Sequence, residues 1–398
     1  MDKKRIAVVV QRYGREVNGG AELYAKLVTE RLAALYDVEV LTTCAIDYVT
    51  WKNEYREGSN TVDGVRVRRF PVDRERDQDA FAALAGEVYA KRNETIGDGI
   101  RWMEAQGPYC PRLVRYIKEN KDHYDLFLFM TYLYYTSYFG LQEVPEKSVL
   151  IPTAHDERPI YLRIFESTFR LPAAMIYLTE EEKAFVNKKF KNGKKPSETV
   201  GIGINMPDKV YPEQFREKYG ISAPFLLYAG RIDESKGCDH LFEFFLRMKK
   251  EVPSDLKLVL MGKPVMAIPK DKDILPLGFV SEEDKINGMA AARLHILPSF
   301  FESLSMSVLE SMALGVPVLV NGKCDVLKGH CIRSNGGLYY NNYYEFAECI
   351  GYLFAREDIY EKMKQNDLKY VHENYTWDKV MARYKKIIDR TLDEIRSH

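Results

Sequence analysis

The run Ile6-Ala7-Val8-Val9-Val10, then Asn18-Gly19-Gly20-Ala21-Glu22, then Val38-Glu39-Val40-Leu41-Thr42, decides the fold class. Ile6 to Val10 is short, wholly apolar and rich in β-branched residues, the pattern of a strand buried on both faces of a parallel sheet. Between the two apolar runs, Glu22 to Leu35 places Leu23, Leu27, Val28, Leu32 and Leu35 at helical spacing. Strand, glycine-bearing loop, helix and strand in that order make a β-loop-α-β unit. Val65 to Val72, Leu126 to Met130 and Val149 to Pro152 predict further strands separated by helical stretches, an alternation that implies a doubly wound α/β sheet.

The same rhythm restarts after residue 200, with short apolar strands predicted at Phe225 to Ala229, Leu256 to Met261, Leu294 to Leu297 and Pro317 to Val320. A chain of 398 residues exceeds what one hydrophobic core usually serves. Two Rossmann-like domains are therefore expected, over residues 1–198 and 199–375. Lys188 to Pro196, rich in Lys, Gly and Pro, suits a linker or a nearby surface loop and puts the hinge near residues 195–205. The remaining residues, 376–398, read as an amphipathic helix with its apolar stripe at Val380, Met381, Tyr384, Ile387, Ile388, Leu392 and Ile395.

Composition removes several function classes. The 58 basic and 58 acidic residues cancel, leaving no chain-wide field to hold nucleic acid or an anionic membrane. Six cysteines without a C-x-x-C pair give neither a zinc ribbon nor a disulfide framework, and fit a reducing cytoplasm. Met1 to Arg5 runs straight into the first strand, and no apolar stretch approaches about 18 residues, so neither a leader nor a membrane span is expected. The cluster Tyr132, Tyr134, Tyr135, Tyr138 and Phe139 reads as core packing, with a wall for a sugar or hydrophobic acceptor as the alternative.

Four places bear groups that can do chemistry. Gly19-Gly20 precedes the first long helix, where paired glycines admit a ligand to the backbone and helix amides favour an anion; steric demand in a tight turn explains them equally. The spacing is not G-x-G-x-x-G, which removes support for a dehydrogenase. Gly230-Arg231-Ile232-Asp233-Glu234-Ser235-Lys236-Gly237 follows a strand, putting two cations at the carboxyl edge of the second sheet, where open α/β sheets bind ligands. Arg231 offers a planar fork to a diphosphate and Lys236 a mobile charge, although a solvated loop pair has the same sequence.

Pro298-Ser299-Phe300-Phe301-Glu302-Ser303-Leu304-Ser305-Met306-Ser307-Val308-Leu309-Glu310 follows the next strand and opens a helix. Ser303, Leu304, Ser305 and Met306 supply backbone amides between the two carboxylates, which suit vicinal hydroxyls. Ser307 and Glu310 are also in capping-box register, which explains Glu310 without a ligand. Glu302, beside Phe300, Phe301 and Leu304, needs a partner to offset desolvation. His155-Asp156 follows a strand in the first half: His155 suits a sugar hydroxyl or a diphosphate oxygen, or packs in its loop, and Asp156 is placed to cap the next helix. Asp77-Gln78-Asp79 and Asp271-Lys272-Asp273 lie in charge-rich stretches and read as solvated surface, so no metal site is expected.

As an ordered set these motifs resemble the GT-B glycosyltransferases of family 4, the retaining group 1 transferases, over nearly the whole chain. The G-R-x-x-x-x-K-G loop is similar to Gly230 to Gly237, the P-S-x-x-E lead-in to Pro298 to Glu302, and the E-x7-E motif to Glu302 and Glu310. Gly278-Phe279-Val280 resembles the loop before the donor-base region, Gly315-Val316-Pro317-Val318 the turn after the motif helix, and Gly19-Gly20 and His155 the glycine loop and cleft histidine. Two departures stand out. Ser303-Leu304-Ser305 replaces the usual G-F-G, and Gly201-Ile202-Gly203-Ile204-Asn205 replaces P-N-G-[IV]-D.

The resemblance implies a GT-B fold, two Rossmann-like domains facing across a cleft, with the terminal helix crossing back to the first. It implies that Arg231 and Lys236 hold a diphosphate, Glu310 the ribose and Glu302 the transferred sugar, while Gly19, Gly20 and His155 close over the reacting centre. The expected activity is retaining, metal-independent transfer from a UDP- or GDP-sugar to a glycan, lipid-linked or other hydroxyl acceptor. No cofactor is implied, the nucleotide sugar being a substrate, and peripheral contact with a membrane-held acceptor stays open. The rivals are a nucleotide-sugar epimerase of the same two-domain shell and a binding protein that no longer catalyses.

Overall fold

The computed structural model describes residues 3–397; Met1, Asp2 and His398, which include the outer limits expected for the first domain and the terminal helix, lie outside them. The chain divides into two compact units, the described part of Met1–Ile202 with Met381–His398, and Gly203–Val380.

Among the described residues, the first unit is built on eight strands, β1 Arg5–Val9, β2 Asp37–Thr43, β3 Gly58–Val62, β4 Val65–Phe70, β5 Leu126–Met130, β6 Ser148–Ile151, β7 Ala174–Tyr177 and β8 Ser197–Thr199. They lie in the order β3-β4-β2-β1-β5-β6-β7-β8. All pairs are parallel except β3, which runs antiparallel to β4. Ile6 pairs with Val38 on one side and Leu126 on the other, so β1 is central. Ile6 to Val10 is wholly buried, as an apolar run in a sheet covered on both faces requires.

The first helix, Gly20–Leu35, buries Tyr24, Ala25, Val28, Thr29 and Leu32. Leu23 and Leu35, expected on the apolar face, are 42% and 41% exposed. Tyr24 sets the face instead, because its hydroxyl meets that of Tyr384 on the last helix, Trp377–Arg396, in a wholly buried pair. From Met381 on, that helix is anchored within the first unit, with Tyr36 donating to Asp389 at 2.9 Å and Lys386 meeting Glu198 at 2.8 Å. Tyr132, Tyr135 and Tyr138 are core residues, and Tyr134 and Phe139 pack half-buried against apolar clusters, the packing expected of the cluster.

The second unit carries six parallel strands, β9 Phe225–Ala229, β10 Lys257–Met261, β11 Ile274–Gly278, β12 Leu294–Leu297, β13 Val318–Asn321 and β14 Gly337–Tyr340. Their order is β11-β10-β9-β12-β13-β14. The chain leaves β9 toward one side and returns to its other side at β12, so the β9/β12 boundary is the switch point where ligands bind in such sheets.

The unit boundaries differ by a few residues from the expected 198/199 and 375/376. Strand β8 pairs with β7, and the Val200 amide donates to the Tyr177 carbonyl at 2.9 Å, which keeps the chain in the first unit to Ile202. Lys188 to Pro196 is accordingly the end of a helix and a loop inside the first unit rather than a linker. The outgoing and returning segments lie side by side within the second unit: the Ile204 amide donates to the Tyr375 carbonyl at 2.8 Å, and Trp377 Nε1 donates to Asn205 Oδ1 at 2.6 Å.

The second unit also buries a carboxyl completely. Asp367 has no solvent exposure, and burial pushes its pKa up to about 9, which the Ser334 hydroxyl offsets only in part. The folded state thus keeps a proton that the unfolded chain loses near pH 4, so stability is full below that pH and falls as pH rises toward 9. Asp367→Asn is expected to raise the denaturation midpoint at pH 8 and to leave it nearly unchanged at pH 4, measured by chemical unfolding at both values.

Candidate functional site

Two loops meet at the carboxyl edge of β9 and β12. After β9, Tyr228 donates its hydroxyl to the Arg231 carbonyl at 2.6 Å, and Asp233 caps a short turn, Glu234–Lys236, by accepting from the Ser235 amide at 2.8 Å. The turn ends at Gly237, φ 74°, where an added Cβ would lie 2.5 Å from the Pro298 carbonyl of the loop after β12. Only glycine fits that backbone-to-backbone approach. Asn321, at the end of β13, holds the same Pro298 carbonyl from its side-chain amide at 2.9 Å.

The expected cations and the first carboxylate come together here. Lys236 Nζ lies 2.7 Å from Glu302 Oε1, the partner that the apolar neighbours of Glu302 demand. Arg231 Nε lies 2.9 Å from Asp233 Oδ2, and its guanidinium is partly exposed. Arg231 and Glu302 both act electrostatically on the Tyr228 hydroxyl, whose pKa burial raises.

The helix after the second loop is Met306–Ala313. Ser307 lies inside it, so the capping box with Glu310 does not form. Glu310 instead faces Lys285 of the helix Glu282–Ala291, with Nζ 3.0 Å from Oε1. It is almost wholly buried, which raises its pKa, and Lys285 offsets that in part. Ser303 and Leu304 lead into the helix from Glu302, and Gly278 ends β11 with φ 70°. Phe279 beyond it is 82% exposed, a bare aromatic face at the carboxyl edge of the sheet. Of the two D-x-D pairs, Asp77 caps the helix Gln78–Ala90, while Asp273 is not solvated: it is buried between Lys249 at 3.1 Å and Lys257 at 2.5 Å.

Gly19, Gly20 and His155 lie at the carboxyl ends of β1 and β6 in the first unit. A Cβ on Gly19 would meet Glu22 Oε2 at 2.1 Å, whereas one on Gly20 meets nothing within 4 Å. Steric demand accounts for the first glycine; the second leaves an open face. Glu22 is locked by the buried Arg12, at 2.6 Å, and by Gln11, at 2.8 Å. His155 Nδ1 lies 3.3 Å from Glu157 Oε1. Asp156 caps no helix and accepts from the Tyr161 hydroxyl at 2.6 Å.

Sequence reading missed what lies behind His155. Glu182 is buried there, accepting from the Ala154 and Leu178 amides, each at 2.6 Å; burial lifts its pKa to about 8, against those two bonds. Thr131, directly after β5, and Thr153, two residues after β6, have φ of 65° and 51°, which β-branched residues adopt only under constraint.

Residues 223–356 match the family model described as Glycosyl transferases group 1. Among curated relatives, an uncharacterised glycosyltransferase of Methanocaldococcus jannaschii is 26% identical over 52% of this chain and 53% of its own. A probable sucrose-phosphate synthase of Thermosipho melanesiensis is 25% identical over 48% of this chain and 46% of its own. The chain thus spans about half the length of the relatives it matches. Among solved structures, sucrose-phosphate synthase from Thermosynechococcus elongatus superposes with a TM-score of 0.72 at 14% identity, covering 98% of this chain and 100% of that one. Anabaena HepE in complex with UDP and glucose gives 0.66 at 13% identity, covering 99% and 100%. This likeness establishes the GT-B fold.

Ser305, the residue before the motif helix, has φ 66° and ψ 85°, where the resembling family carries glycine, and its buried hydroxyl makes no hydrogen bond. A non-glycine residue in this left-handed region costs about 1–2 kcal/mol. Ser305→Gly is therefore expected to raise the thermal midpoint slightly and Ser305→Val to lower it, as read by differential scanning fluorimetry.

Proposed function

We propose that this protein is a retaining, metal-independent glycosyltransferase that moves a sugar from a UDP- or GDP-sugar to a hydroxyl acceptor in glycan or glycolipid assembly. The observation that carries the reading is the Lys236–Glu302 contact between two loops at the switch point of a sheet whose residues 223–356 match the group 1 transferases. A cation and a carboxylate side by side are the complement of a sugar diphosphate, which presents phosphate oxygens and hydroxyl groups on adjacent atoms.

In this reading Arg231 and Lys236 take the diphosphate, and the first amides of the helix Met306–Ala313, which have no acceptor within the helix, add a positive end to the same site. Glu302 accepts from the transferred sugar. Glu310, held by Lys285, accepts from the ribose, and Gly278 and Phe279 stack against the base. Solved HepE, with UDP and with UDP-glucose, supports a uridine donor for this fold. Gly19 and Gly20 of the first unit are assigned to donor binding, and His155 to catalysis at the reacting centre.

The acceptor oxygen attacks the anomeric carbon on the face of the leaving group. The bond from that carbon to the β-phosphate oxygen breaks, the glycosidic bond forms, and the acceptor proton passes to the departing phosphate. Charge builds on the diphosphate, so the residues that matter most are the cations beside it. A single preorganised donor to developing charge contributes about 10² to 10³ in turnover. Arg231→Ala and Lys236→Ala are each expected to lower turnover of UDP-glucose or GDP-mannose by about that factor with unchanged circular dichroism. Activity within a few-fold of the unmodified protein would remove these residues from the mechanism.

A further inference from the structure

The loop that carries Glu302 is held from beneath by a residue that belongs to none of the motifs. His330, on the helix Asp325–Ser334, has no solvent exposure, and its Nε2 lies 2.8 Å from the Leu304 carbonyl oxygen. A carbonyl can only accept, so Nε2 carries the proton. Burial, with Arg333 nearby, pulls the pKa of His330 down to about 4, which keeps the ring neutral and leaves Nδ1 an acceptor. Its partner there is the Tyr370 hydroxyl at 3.1 Å.

The donors behind Tyr370 agree with that direction. Arg333 Nε donates to the Tyr370 oxygen at 3.3 Å, and the Tyr375 hydroxyl lies 3.2 Å away. The Tyr375 carbonyl in turn accepts the Ile204 amide, at the paired segments where the chain passes between the units. Hydrogen bonds joined through the side chain of Tyr375 thus link residue 204 to residue 304.

Ser305 follows Leu304 in a left-handed conformation, and its hydroxyl bonds to nothing. The turn is therefore not secured by its own side chain. The Leu304 carbonyl is one point where the surrounding fold grips it.

We infer that His330 is a positioning residue: by donating to the Leu304 carbonyl it fixes the turn at Ser305, and with it the placement of Glu302 and of the first amides of the following helix, while Tyr370 and Tyr375 tie that turn to the crossing segments. The consequence for donor binding rests on the glycosyl-transfer reading; the consequence for the turn does not.

Two replacements separate positioning from bulk packing. In His330→Gln the side-chain amide keeps a donor near Nε2; in His330→Leu it is lost. Hydrogen exchange of peptides spanning residues 300–309 is expected to accelerate about tenfold or more in His330→Leu, with strands β9 and β10 unchanged, and to stay near the unmodified rate in His330→Gln. With whichever of UDP-glucose and GDP-mannose the unmodified protein consumes, His330→Leu raises the donor KM about fivefold or more, with a smaller change in kcat, and His330→Gln restores it. Should His330→Leu not fold, Tyr370→Phe, which removes the donor to Nδ1 together with the Arg333 and Tyr375 contacts of the same hydroxyl, is expected to accelerate exchange in the same peptides. Unchanged exchange at 300–309 in the variant that folds, or a glutamine variant as defective as the leucine one, overturns the assignment. A protein that consumes no nucleotide sugar defeats the transferase reading and leaves the exchange test standing.

Discussion

The second unit depends on the close approach of two backbones, the turn at Gly237 and the carbonyl of Pro298. Parallel strands β9 and β12 are neighbours, so the loops leaving their carboxyl ends must either diverge or pack. Here they pack, because Gly237 has no side chain to hold them apart and Asn321 fixes the carbonyl from the next strand. The charges follow from that contact rather than cause it. Lys236 and Glu302 are both partly exposed, and ion pairs of that kind are worth about 0–1 kcal/mol. Too weak to hold the loops, the pair is suited to exchanging partners with a ligand.

A similar arrangement of constraint recurs in the first unit. Thr131 and Thr153 are held at positive φ beside β5 and β6, Glu22 is locked by Arg12, and Glu182 is buried behind His155. Strained backbone and buried charge at the carboxyl edge of a parallel sheet cost stability, and folds concentrate such costs where ligands bind. The same logic gives His330 its place: a neutral, buried donor is what a strained turn with an unbonded Ser305 hydroxyl requires.

The sequence made the central strands legible, because Ile6 to Val9 of β1, β5 and β9 are buried on both faces and read as apolar runs, and β12 is interrupted only by the buried His295. The edges escaped it. β3, Gly58–Val62, is antiparallel and largely exposed, β8 is only Ser197–Thr199, and β11 contains Pro276. On the first helix the periodicity finds Val28 and Leu32, which are buried, but Tyr24, Ala25 and Thr29 complete the buried face in place of Leu23 and Leu35. The loops at 230–237 and 298–310 were legible because their charges are contiguous and follow strands. Lys285, Glu182 and His330 were not, since each meets its partner across 25, 28 and 26 residues of chain, and no local spacing encodes those meetings. The capping-box reading of Glu310 failed because the helix begins at Met306, one residue before the serine that would cap it.

The most direct test of the central claim is hydrogen exchange of the unmodified protein with and without UDP-glucose, and again with GDP-mannose. Protection concentrated in peptides covering residues 230–237 and 302–310 in the presence of one of these donors is the predicted result. Binding that leaves both segments unprotected would contradict it.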